Sequence, residues 1–180
     1  MLDYRSARVV VLCEDRTHYH FIRGFLLAKG CSAAKITPRQ APPGIGSAEN
    51  YVREHFPAEL RAHRSRSGNV LLIVCMDQDK SSTNRHLELV NACEAENVPP
   101  PDRYDRMMTV FPSRNIETWL YCLHNEQTID ESINYKQRLS RSKPGKLGSK
   151  LAQVCRNPRN FDFPSSLETA KQRWREVLEN

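Results

Sequence analysis

Long apolar runs are missing from this 180-residue chain. The longest, Val70 to Met76, falls far short of the ~20 residues that span a bilayer. The opening Met1-Leu2-Asp3-Tyr4-Arg5 has no apolar signal core behind it. No membrane span and no export are therefore expected, and the expected location is cytoplasmic. Paired cysteines are also missing. Cys13, Cys31, Cys75, Cys93, Cys122 and Cys155 are dispersed with no C-x-x-C spacing, which argues for reduced thiols and against a zinc site. Glycine is scarce at seven residues, and the only phosphate-loop-like stretch, Pro43-Gly-Ile-Gly46-Ser47, lacks a third glycine and a Lys-Ser/Thr pair. A plain loop before a helix is the simpler reading. His18 and His20 are two positions apart and do not share a helix face, so they give no H-x-x-x-H zinc pair.

Acidic residues are absent from Ser132 to Phe161, where Lys136, Arg138, Arg141, Lys143, Lys146, Lys150, Arg156 and Arg159 all fall. Over the whole chain, 27 Lys and Arg stand against 21 Asp and Glu, a formal charge of +6. That balance favours an acidic partner such as nucleic acid. The basic block suits phosphate neutralisation by a mobile flap, with Lys136, Arg138, Arg141, Lys143, Lys146 and Lys150 as the contacts. It equally suits a solvated loop or a docking surface. Arg61, Arg64 and Arg66 read as a wet helix end, with nucleic-acid contact as the alternative.

What is present is an alternation of strand and helix signals. Arg8–Cys13 and Asn69–Met76 are β-branched, apolar runs of the kind buried on both sheet faces. Lys35–Arg39 reads as an edge strand because Pro38 lacks an N–H, and Arg106–Phe111 as a fourth strand. Helices are expected over Thr17–Lys29, over 47–66 with a kink or break at Pro57, over Thr83–Glu96 and from Ile116 to Leu123. Ser165-Ser-Leu-Glu168 has the form of a capping box opening a last helix, and Trp119 and Trp174 read as core. Because parallel strands need long crossovers, this order predicts an α/β fold with a mostly parallel sheet of about four strands and helices on both faces. The expected division is a catalytic domain over 1–128, with 129–180 a basic loop and helical extension packing on it.

In such sheets chemistry gathers at the carboxyl ends of the strands. Asp77 and Asp79 follow the most apolar strand and, two apart, share a side, so they can hold a hard divalent cation, or one of them can cap the next helix. Glu14 ends the first strand on the same edge; its other reading is a helix N-terminal acid alongside Asp15. Glu117, in the first turn of Asn115-Ile-Glu-Thr-Trp-Leu120, has the same two readings.

A strand ending in Glu14, a central strand ending in Asp77-x-Asp79 and a later N-I-E-T-W-L helix together resemble the Toprim fold over about residues 8 to 125. The resemblance is closest to the stand-alone OLD-type nucleases and RloB-like proteins. It implies that Glu14, Asp77, Asp79 and Glu117 bind Mg²⁺, or Mn²⁺, and carry phosphodiester cleavage. It further implies an endonuclease of anti-phage defence acting on DNA or, next, RNA including tRNA, beside an ATPase partner and with homo-oligomerisation open. The chain departs from the family in placing Asp15 where glycine usually follows the first glutamate. The alternative is a non-catalytic Toprim-like nucleic-acid-binding or scaffold subunit of an ATPase-containing complex. An aspartyl phosphotransferase, suggested by D-x-D before Lys-Ser, ranks below both because the first strand ends in Glu14.

Overall fold

The computed structural model describes residues 3–42, 48–78, 84–139, 143–156 and 162–178. Four strands, β1 (Arg8–Cys13), β2 (Ile36–Gln40), β3 (Val70–Cys75) and β4 (Met107–Val110), form one parallel sheet in the order β2-β1-β3-β4. Pro38 lies in β2, which among the described residues is an edge strand, a position that tolerates a residue without an N–H. The helices are α1 (Arg16–Ala28), α2 (Ala48–Ser65), α3 (Arg85–Ala95), α4 (Ile116–Asn125), α5 (Pro144–Arg156) and α6 (Ser165–Leu178). Among the described residues, no helix is long and apolar enough to cross a membrane.

Strand periodicity divides the core in two. Val9, Val11, Cys13, Leu71, Ile73 and Cys75 join a cluster built with α1, α4, α5 and α6. Val10, Leu12, Leu72, Val74 and Met76 pack with Val52, Phe56 and Leu60 of α2 and with Leu89 and Cys93 of α3. Residues two apart share a face, so continuous apolar strands satisfy both layers at once. Each buried Val, Leu or Phe contributes about 1.5–3 kcal/mol. The six cysteines are free thiols, and all but Cys155 are buried.

Three local expectations are corrected. Pro57 does not split α2, which runs unbroken through it: Val52, Phe56 and Leu60 on either side are fully buried against the sheet, and that packing outweighs one lost hydrogen bond. The basic block is not a flap from Pro144 to Arg156. Pro144–Arg156 forms α5, seated against α1 at a separation only glycine permits. A Cβ on Gly148 would lie 2.0 Å from the Phe21 carbonyl oxygen, and one on Gly24 would lie 2.0 Å from that of Gly145. Glycine and serine, which look like loop residues in the sequence, here bring two helix backbones together. Third, Glu168 does not close a capping box; it pairs with Lys171 at 2.7 Å. The start of α6 is instead held by Glu131, which accepts from the Ser165 and Ser166 hydroxyls and from the Ser166 N–H.

A candidate metal crevice between two strand ends

From β1 the chain moves outward to β2 and then crosses back to β3 on the other side of β1. The order therefore reverses between β1 and β3, the switch point at which open α/β sheets have a ligand crevice outside the carboxyl ends of the strands. Cys13 and Cys75 are partners in register, so Glu14 follows β1 beside Met76, one residue before Asp77.

Backbone hydrogen bonding explains why Asp77 is held there. The N–H groups of Met76 and Gln78 continue the ladder to Val110 and Pro112. The Asp77 N–H points the other way, past the end of β1, and donates to Glu14 Oε1 at 3.0 Å. A carboxylate thus takes the place of the next strand carbonyl. Glu14 is only 9% exposed.

Asp15 takes the helix N-terminal role and frees Glu14 from it. Its Oδ1 accepts from the N–H groups of Thr17 and His18 at 2.8 and 3.0 Å, capping α1. The same oxygen lies 2.8 Å from His18 Nδ1, while His18 Nε2 lies 2.9 Å from Asp77 Oδ1. His18 is thus fixed at both ring nitrogens and is 1% exposed. Burial disfavours the imidazolium, but the hydrogen bonds to Asp15 and Asp77 outweigh it and push the His18 pKa up to about 10. Burial likewise disfavours the Asp15 carboxylate, and His18 with the α1 N–H groups overrides it, holding Asp15 at about 2. Beneath the crevice, burial pushes the Cys13 thiol up to about 12 and the Cys75 thiol well above its ordinary value, with neighbouring carboxylates adding to both. Neither offers a thiolate.

Glu14, His18 and Asp77 present ligand atoms that all lie within 4.8 Å of one another. This donor set fits a divalent cation. Two carboxylates supply hard oxygens, and the imidazole supplies a nitrogen once the cation displaces the Nε2 proton held against Asp77. A metal-bound histidine characteristically donates its other N–H to a carboxylate, and Asp15 is in place to receive it.

Glu117 stands in the first turn of α4, half-buried and outside that trio. Burial raises its pKa and the Asp77 charge adds to this, while Lys136 and His18 oppose it, so it shares their electrostatic neighbourhood. Asp79 and Arg141 lie outside the described residues. Of the other basic-block residues, Lys136, Lys143 and Lys146 are exposed, and Arg138 lies over the Tyr135 ring at 5.5 Å. Lys150 is committed to the end of α4, donating to the Leu123 carbonyl at 2.5 Å and pairing with Glu126 at 2.8 Å.

Two residues escaped the sequence reasoning. Sequence spacing sets His18 only against His20, whereas its partner Asp77 is 59 positions away. Arg85 is 2% exposed; its Nε donates to the Asp77 carbonyl at 3.0 Å, and its guanidinium bonds Glu88 at 2.7 Å and Glu49. The available signal was an arginine at the start of the helix after the D-x-D strand.

Comparison with protein-family models, with curated proteins and with solved structures returns no match for this chain. The fold itself is that of a small Rossmann-like α/β domain, a four-stranded parallel sheet flanked by helices.

Proposed function

We propose that the crevice binds one divalent cation, Mn²⁺ or Mg²⁺, through Glu14, His18 and Asp77, and that the chain is a metal-dependent phosphodiester hydrolase acting on nucleic acid. The observation that carries this reading is the convergence of those three ligand groups at the β1/β3 switch point. When bound, the cation supplies Lewis acidity toward a phosphoryl oxygen and lowers the pKa of a coordinated water. The residues divide the remaining work. Asp15 orients the His18 ring, and Arg85 fixes the backbone that carries Asp77. Glu117, its pKa raised by burial and by Asp77, is suited to exchange a proton with the attacking water or the leaving oxygen. Exposed Lys136 beside it offers a charge to the substrate backbone. Toprim kinship, an anti-phage setting, an ATPase partner and the choice of DNA before RNA rest on the motif resemblance, with Asp79 as a further ligand on the same basis.

One observation favours a second reading. His18 bridges Asp15 and Asp77 in a closed hydrogen-bonded array, which suits a non-catalytic binding subunit whose carboxylates serve structure. Incubating the protein with labelled single- and double-stranded DNA and with RNA, in Mn²⁺, Mg²⁺ or EDTA, separates the two. The hydrolase reading expects metal-dependent cleavage that Asp77→Ala abolishes. Binding without cleavage under every condition selects the scaffold.

A further inference from the structure

At the opposite, amino edge of the sheet, the segment between α3 and β4 is built to present an aromatic side chain. Tyr104 is 77% exposed, the more exposed of two large hydrophobic residues so placed among the described residues. Its loop is nevertheless fixed. The Asp102 carboxylate accepts from the Tyr104 N–H at 2.7 Å and the Asp105 N–H at 3.3 Å, forming an Asx turn. From α2, Arg64 donates to the carbonyls of Pro99 and Pro100 at 2.7 and 2.8 Å and grips both Asp105 oxygens at 2.9 and 2.7 Å. Arg103 lies over the Tyr104 ring at 4.8 Å and donates to its hydroxyl at 2.7 Å. Several hydrogen bonds thus hold an aromatic ring out in water, where burial would otherwise be favourable.

Between this loop and the end of α2 lies a notch lined by His63, Arg64, Arg66, Tyr104 and Arg106, with Asp102 and Asp105 also on its wall. Asp105 is neutralised by Arg64, and Asp102 is engaged by two backbone N–H groups. Arg66 is paired with Glu59 at 3.6 Å, which leaves Arg103 and Arg106 to set the sign of the surface. Arg66 Nη1 is buried without a hydrogen-bond partner, and so is Nδ1 of His63, itself 7% exposed. Burial lowers the His63 pKa; Arg66 and Arg64 add to that, and Asp105 opposes it.

A rigid, exposed ring with guanidinium groups around it matches one ligand chemistry: a planar base next to a phosphate. We infer that Tyr104, Arg103 and Arg106 form a single-strand nucleic-acid contact, in which a base stacks on Tyr104 and its phosphate meets Arg106. This contact lies across the sheet from the Glu14–Asp77 crevice and does not depend on metal there.

The test is fluorescence anisotropy of a labelled single-stranded oligonucleotide in EDTA, which removes the metal reading from the outcome. Tyr104→Ala is expected to weaken binding on the order of tenfold, within the range of one lost base stack, while Tyr104→Phe keeps wild-type affinity. Arg106→Ala is expected to reduce the slope of log K against log salt by about 0.7, one single-strand phosphate contact. An abasic oligonucleotide should bind the wild type and Tyr104→Ala equally. Thermal unfolding of each variant confirms that it is folded. The inference is overturned if the wild-type protein does not bind, if folded Tyr104→Ala binds as tightly as wild type, or if Tyr104→Ala weakens the abasic strand just as much. The last result would mark a general acidic-partner surface.

Discussion

Glu14 Oε1 accepts the backbone N–H of Asp77 at 3.0 Å, so the first acid of the crevice also secures the backbone of the second. Stability and metal binding at this position should therefore separate by substitution. Glu14→Gln retains an acceptor for that N–H and should lie within about 1 kcal/mol of wild type, whereas Glu14→Ala leaves the N–H unpaired and should cost about 1–3 kcal/mol. Both should lose Mn²⁺ affinity. Denaturant unfolding and Mn²⁺ titration by electron paramagnetic resonance read the two effects independently.

The nitrogen donor predicts a metal preference. Mg²⁺ takes oxygen ligands almost exclusively, while a site containing imidazole favours transition ions. Wild-type protein should bind Mn²⁺ at least about tenfold more tightly than Mg²⁺, a margin of about 1.4 kcal/mol. His18→Asn should shrink that margin. Competition titrations give both constants, and equal Mn²⁺ and Mg²⁺ affinities in wild type would remove His18 from the ligand set.

The closeness of α1 and α5 should be visible in mutants. Gly148→Ala places a methyl 2.0 Å from the Phe21 carbonyl oxygen and 2.9 Å from the Phe25 nitrogen, both backbone atoms that cannot rotate aside. A loss of about 1–3 kcal/mol is expected despite alanine's better helix propensity. A thermal midpoint at or above wild type would contradict the packing.

Strand cores were legible from sequence because valine, isoleucine and leucine runs bounded by charge have few other uses, and the edge character of β2 followed from Pro38. Glu14 and Asp77 could be placed on one sheet edge for the same reason. His18 could not be placed, since its contact with Asp77 joins a helix to a distant strand and leaves no local spacing. The seat of α5 was hidden by composition: Gly145, Gly148 and Ser149 resemble loop residues until α1 is known to lie against them. The start of α6 misled because the box-forming Ser165 and Glu168 were both present, while the carboxylate that holds it, Glu131, lies outside the motif.

Acid should loosen the Tyr104 loop. Burial works against the Asp105 carboxylate, but Arg64 more than compensates and holds its pKa below the ordinary 3.8. A depressed folded-state pKa means stability that is present above the ordinary value and lost as pH falls through the lowered one. Arg64→Met should therefore cost about 1–3 kcal/mol near neutrality, with the gap from wild type narrowing below about pH 4. Urea unfolding of both proteins across that range checks the sign; a gap that widens in acid would contradict it.

The most direct test of the crevice is crystallographic. Crystals grown with Mn²⁺ should show one anomalous peak within coordination distance of the Glu14 and Asp77 carboxylates and His18 Nε2, with His18 Nδ1 still on Asp15 and the peak absent in Asp77→Ala. A map without that peak, with His18 still hydrogen-bonded to Asp77, would contradict the assignment of a metal site.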